Sequence, residues 1–182
     1  DRHDHLDIAF AQEVLRLRDP RRFGAVLWIE GDPGRHPLLA HQGTEHLSRA
    51  LTATSLARVL AARQTAIKPA LMNADIMVGV GNIYASESLH RAGIDPRTPA
   101  QQVSPARLER LVPAIKTTLR AAIRAGGSSL RDYVHSDGGL GDFQLRHRVY
   151  GRAGQPCRQC GSLIRSLRQA NRATFFCPRC QR

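Results

Sequence analysis

A chain of 182 residues is long enough for one ordinary domain or two small ones, and 42% hydrophobic residues supply a packed core, which excludes wholesale disorder. No run of about 18 apolar residues occurs, which excludes a membrane-spanning helix. With 27 Lys and Arg against 15 Asp and Glu the net charge is +12, so polyanions are the expected partners: each phosphate neutralised releases a condensed counterion.

The opening residues, Asp1 to His5, are polar and charged, unlike a secretory signal, so a soluble intracellular protein is expected. Residues 1–46 read as strands and turns. Leu6, Ile8 and Phe10 alternate with Asp7 and Ala9, and residues 24–29 form a short apolar run before a Gly31-Asp32-Pro33-Gly34 turn. A strand pair alone is not stable, so this segment needs further strands and is expected to begin mid-domain.

Residues 47–125 read as helices. One is expected over about 56–63, and a short one follows Lys68-Pro69. The glycine-punctuated stretch 76–81 then leads into a helix from Asn82, a candidate N-cap, to a stop at Gly93. The clearest helix runs over 105–125, with Ser104 as cap, Pro105 in first position and Gly126-Gly127 as stop. Its apolar residues Leu108, Leu111, Val112, Ile115, Leu119, Ala122 and Ile123 follow three-and-four spacing, which buries one face. Residues 126–141 are glycine-rich and suit either a lid or a plain linker.

The C-terminal stretch is a concentrated cationic module: residues 143–182 hold nine Arg and no Asp or Glu. All four cysteines fall here as Cys157-x2-Cys160-x16-Cys177-x2-Cys180, the spacing of a four-thiolate zinc site with a β-hairpin between the pairs. Two disulfides or a redox Cys-x-x-Cys are the alternatives. Disulfides suit a secreted chain, and a redox motif does not come as two pairs in a module too small to fold without a staple. A closed four-cysteine site builds structure and does no chemistry. The hairpin tip, 168–172, carries Arg168 and Arg172. Such an arginine is by itself more often a solvated surface charge than a contact.

Four segments in order, Asp19-Pro20-Arg21-Arg22-Phe23-Gly24, Thr65-Ala66-Ile67-Lys68-Pro69, residues 78–89 and the four-cysteine finger, resemble the formamidopyrimidine-DNA glycosylase family over essentially the whole chain. The resemblance implies an α+β protein. It comprises the C-terminal part of a β-sandwich domain (1–46), a helix-two-turns-helix DNA-binding domain (47–150) with a lesion-capping loop near 126–141, and a β-hairpin zinc finger (151–182). It implies a DNA-repair glycosylase and abasic-site lyase that removes oxidised purines, 8-oxoguanine and formamidopyrimidines, and nicks the strand by β,δ-elimination. One structural Zn2+ ion is expected on Cys157, Cys160, Cys177 and Cys180. The implied partner is double-stranded DNA carrying oxidised bases or abasic sites, met by a monomer in the bacterial cytoplasm.

By the same resemblance His3, Arg63, Lys68, Asn82 and Arg172 contact DNA, Lys68 near the damaged nucleotide and Asn82 at a phosphate. Arg21 faces the base left behind when the lesion flips out, and Phe23 wedges the duplex, although a strand core is the other reading of Phe23. Arg172 is in addition the proton donor of δ-elimination. Glu87 and Tyr84 are expected to be structural. Family members attack with an N-terminal proline amine beside a glutamate, and this sequence opens on Asp1-Arg2. The 182 residues are therefore expected to be a fragment that grips DNA without cutting it. The alternatives are an endonuclease VIII-type enzyme for oxidised pyrimidines and a non-catalytic zinc-containing DNA-binding protein. A zinc ribbon on RNA fits less well, since no aromatic stacking platform is present.

Overall fold

A computed structural model describes residues 1–20, 22–127 and 142–182. Arg21 and most of the glycine-rich segment expected to be a lid, residues 128–141, lie outside the described residues. The chain divides into two compact units, residues 1–40 and 41–182.

The first unit is built on one antiparallel hairpin, β1 (Asp4–Ala9) against β2 (Val14–Arg18), with Leu6 opposite Leu17 and Ile8 opposite Leu15. Cross-strand charges lock the register: Arg16 forks onto Asp7 with two bonds of 2.8 Å, and Arg18 reaches Asp1 at 3.0 Å. The alternation read from the sequence is present, but neither face is covered. Ile8, Phe10, Val14 and Leu15 stay exposed, and so do Val26, Leu27 and Trp28. The expected apolar strand at 24–29 does not form. A strand needs an edge to pair with and a surface to bury against, and among the described residues this run pairs with no strand and stays largely exposed.

The second unit begins with β3 (Thr44–Glu45), continues through α1 (Ala53–Leu60) and α2 (Ile67–Leu71), and returns in β4 (Met77–Val78), which pairs in parallel with β3. The first helix starts three residues earlier than its apolar spacing suggests because a capping box sets the start. Ser55 N–H donates to Thr52 Oγ1 at 3.0 Å and Thr52 N–H to Ser55 Oγ at 2.9 Å. Next come α3 (Asn82–Ala92) and the 20-residue α4 (Pro105–Arg124), which ends as expected at Gly126 and Gly127, both at positive φ. Leu56, Leu60, Ile67, Leu71, Met77, Leu89, Ile94, Leu108, Leu111 and Ile115 fill one core between these helices. The central member is α3, buried along most of its length, packed against α4 on one side and the finger on the other. Lys116 fastens α4 to the entry of α1 by donating to the carbonyls of Ser48 and Leu51 at 2.9 and 3.0 Å. No helix among the described residues is long and apolar enough to cross a membrane.

The finger carries β5 (Arg165–Gln169) and β6 (Arg172–Phe176), joined by a two-residue turn with Ala170 at φ 45° and Asn171 at φ 60°. Such a turn matches the twist of the strands and suits Asn, whereas Ala there carries strain of about 1 kcal/mol. Gln181, 2% exposed, ties the finger to the loop after α3: its amide donates to Ile94 O at 2.9 Å and its oxygen accepts from Cys177 N–H at 2.8 Å.

Candidate nucleic-acid interface and zinc centre

The two Cys-x-x-Cys turns bring their four sulfurs within 4.8 Å of one another, with Cys157 and Cys180 at 3.9 Å and Cys160 and Cys177 at 3.4 Å. A tetrahedral ion with Zn–S bonds of about 2.3 Å sets its ligands about 3.8 Å apart, so the cluster has the size zinc needs. Backbone N–H groups of Gln159 and Cys180 point at Cys157 and Cys177 Sγ at 3.5 and 3.4 Å. The His90 ring is also 3.6 Å from Cys157 Sγ, so the centre leans on the end of α3.

At the other end of the finger stands a second constellation. Lys68 lies in α2 and is 1% exposed, yet among the described residues no carboxylate meets its ammonium. Its three N–H bonds go to Asn82 Oδ1 (2.5 Å) at the start of α3, and to Ala173 O (2.9 Å) and Thr174 Oγ1 (2.8 Å) in β6. One buried cation thus joins α2, α3 and the hairpin. Asn82 is held on its other side, where its amide donates to Tyr150 OH at 3.2 Å. The expected N-cap is corrected: Gly81 occupies that position, and Asn82 is the first helical residue with its side chain turned to Lys68. The approach to this helix start needs Gly79 at φ +86°, where a Cβ would sit 2.1 Å from His46 Nδ1.

Lys68 and Arg172 line the same cavity of about 160 Å3, with Met72, Asn73, Gln169 and Ala170. Burial, helped by the neighbouring Arg172 guanidinium, pushes the Lys68 ammonium down to about 8. Its folded-state value lies below the unfolded one, so the cost of burying this cation is present in full below pH 8 and is relieved as pH rises above it. An anion at Arg172 would oppose both causes. Affinity of the wild-type chain for a phosphate-bearing ligand is therefore expected to fall between pH 8 and 10, while Lys68→Met flattens that part of the profile. Equal pH dependence of the two proteins in a binding titration would contradict it.

Glu87, expected to be structural, is buried with both carboxylate oxygens engaged. Oε2 accepts from Arg148 N–H at 2.9 Å, and Oε1 from Val149 and Tyr150 N–H at 3.0 and 2.9 Å. That pins the segment entering the finger onto α3 and sets Tyr150 beside Asn82. Tyr84, Phe143, His147, Tyr150 and Phe175 then form a series of edge-on ring contacts, centroids 5.0–5.7 Å apart.

Of the residues singled out from sequence, Lys68, Asn82 and Arg172 come together, and the four cysteines do so separately. Arg63 is exposed beyond α1, where its carbonyl accepts from Gln101 N–H. In the first unit His3 receives Arg2 Nε at 3.1 Å, and Phe23 is 84% exposed in the turn after Asp19. Sequence reasoning missed Tyr150, Thr174 and Gln181. Thr174 was within reach, since alternation along the second hairpin arm turns it inward with Phe176. A lone buried Gln or Tyr has no such signal.

Fold and site together define a helical domain braced by a four-cysteine finger, with its cationic groups gathered where a helix start meets a hairpin tip. Residues 42–134 match the helix-two-turns-helix (H2TH) domain of formamidopyrimidine-DNA glycosylase, and residues 154–182 match a zinc finger found in that enzyme (FPG) and in IleRS. The chain is 59% identical to the formamidopyrimidine-DNA glycosylase of Thiobacillus denitrificans, covering 100% of this chain and 67% of that protein. It is 56% identical to that of Dechloromonas aromatica, covering 99% and 66%. It thus spans about two thirds of the length of these curated relatives. The MutM (Fpg) protein of Thermus thermophilus superposes with a TM-score of 0.91 at 38% identity, over 100% of this chain and 69% of that one. The Lactococcus lactis Fpg in complex with DNA containing an abasic site gives 0.85 at 32%, over 100% and 67%. The chain belongs to the formamidopyrimidine-DNA glycosylase family, and Cys157, Cys160, Cys177 and Cys180 form its site for one zinc ion.

Proposed function

We propose that the protein is a base-excision-repair glycosylase and abasic-site lyase that removes oxidised purines, 8-oxoguanine and formamidopyrimidines, and nicks the strand by β,δ-elimination. The observation that carries this reading is the Lys68 junction: Lys68 bonds Asn82 at the start of α3 and the hairpin strand next to Arg172, and it shares one cavity with Arg172. Asn82 keeps one amide N–H to give, the first N–H groups of α3 have no partner within the helix, and Arg172 supplies a charged fork. Together they suit a DNA phosphate. The solved Lactococcus lactis relatives, bound to DNA with an abasic site or a Fapy-dG, support the same substrate class.

In this reading Arg172 holds the phosphate beside the lesion and gives the proton in δ-elimination. His3 and Arg63 touch the backbone further along, Phe23 wedges the duplex, and Arg21 meets the orphaned base. Lys68 acts near the damaged nucleotide by holding Asn82 and the hairpin, since its own N–H groups are committed. The functional division is 1–46, 47–150 and 151–182, with 126–141 as the lid, in a monomer of the bacterial cytoplasm. No Pro-Glu pair occurs in residues 1–182, so these residues by themselves are expected to grip and not to cut.

The test is an abasic-analogue duplex titrated over a salt series, with borohydride trapping on true abasic DNA. Residues 1–182 are expected to bind, and Arg172→Ala to weaken binding about tenfold with a salt slope shallower by about one. No trapped adduct should form. Unchanged affinity and slope would remove Arg172 from the grip, and an efficient adduct would make Lys68 the first suspect as nucleophile.

A further inference from the structure

About nine residues along α3 from Asn82, and so about 14 Å away along its axis, a separate hollow of about 660 Å3 opens between the end of that helix, the segment 145–148 and the first cysteine turn. Arg91, Arg146, Arg148 and Arg158 line it, with Leu145 and Gln159. Among the described residues no carboxylate lines the hollow, and none of the four arginines takes part in an ion pair. Glu87 lies near and offsets part of the charge at Arg91, but its oxygens already accept three backbone N–H bonds and one carboxylate cannot balance four guanidinium groups.

Arg91 alone has a local explanation, since a cation in the last turn complements the negative end of a helix. The other three come from outside α3. Desolvation and then repulsion by Arg148 hold the Arg91 guanidinium below its ordinary value, so the charges crowd one another. Four like charges gathered beside a single carboxylate cost free energy that a bound anion would relieve, and guanidinium forks match phosphate oxygens two at a time.

We propose that this hollow is a second anion site, distinct from the Lys68–Asn82–Arg172 grip, which takes phosphate groups from a phosphodiester backbone or from a free polyphosphate. Filled by a backbone, it holds a second stretch of nucleic acid while the first is gripped elsewhere, and lets the chain pass directly between segments. The proposal does not depend on the repair chemistry.

The experiment uses the full chain saturated with an abasic-analogue duplex. One arm titrates inorganic tripolyphosphate by calorimetry. The other follows dissociation of the labelled duplex against rising concentrations of an unlabelled one. In the wild type, tripolyphosphate binds and dissociation speeds up with competitor. In Arg146→Ala/Arg148→Ala both responses weaken about tenfold, the loss of one or two charge-assisted bonds, while zinc content and single-duplex affinity stay within about twofold. Should that variant lose zinc, Arg146→Gln alone is expected to weaken both responses in the same direction. A tripolyphosphate response without a competitor response identifies free polyphosphate as the ligand; the reverse identifies a second backbone. Both responses unchanged in the variants, or equal binding by an oligoglutamate peptide, would overturn the phosphate site.

Discussion

Removing the metal from Cys157, Cys160, Cys177 and Cys180 is expected to unfold the finger and to abolish tight DNA binding while the helical core survives. The finger has little interior of its own: Val149, Ile164, Cys157 and Cys177 make up its buried cluster, so half of it is thiols. A module of this size does not bury enough apolar surface to offset its chain entropy, whereas a structural zinc ion contributes about 10–16 kcal/mol of folding free energy at neutral pH. Once the hairpin melts, Lys68 loses Ala173 O and Thr174 Oγ1, and Arg172 no longer has a fixed place beside Lys68. Affinity for a phosphate-bearing duplex should fall by tenfold or more, since its charged fork is lost. A chelator titration followed by amide exchange on residues 165–176, with metal analysis before and after, checks this. An ordered hairpin in zinc-free protein would refute it, and so would a metal content far from one per chain.

Glu87→Ala should be the most damaging single substitution away from the cysteines, with a stability loss of about 3–5 kcal/mol. The substitution orphans three backbone N–H groups at once, on Arg148, Val149 and Tyr150, in a place water reaches poorly. Glu87→Gln keeps the shape but presents a donor where only acceptors fit, so it should lose about half as much. Urea unfolding measures both. The alternative role for a buried glutamate is proton transfer, and it predicts the opposite pattern: near-normal stability for Gln and a changed pH profile of activity. Tyr150 should also drift from Asn82 in these variants, so their DNA affinity is expected to drop even where the fold persists.

Much of the helical unit was legible because its signals are local. Three-and-four apolar spacing, Pro105 in first position and the Gly126-Gly127 stop place α4 almost to the residue. Gly93 ends α3 at φ +72° for the same reason. Where one local signal competed with another, spacing alone misplaced the element: the Thr52–Ser55 box starts α1 ahead of its apolar stripe. The run at 24–29 misled because apolar content states only that a segment prefers burial, and not that a surface exists to bury it.

For the site, the sequence by itself determined the metal centre and named candidate residues for a grip. Cysteine spacing is a short-range constraint that two tight turns must satisfy, and the four-segment resemblance singled out Lys68, Asn82 and Arg172. Only the tertiary structure decided what those residues do to one another. Lys68 and Thr174 are 106 positions apart, and no periodicity links them. The packing of the finger against α3 turns a lysine expected to touch DNA into a buried three-way clamp, turns Asn82 from a cap into its partner, and occupies Glu87 with backbone N–H groups 61 to 63 residues away. Buried polar groups must find partners wherever the chain brings them, so their pairings follow from the fold as a whole and from no local stretch of it.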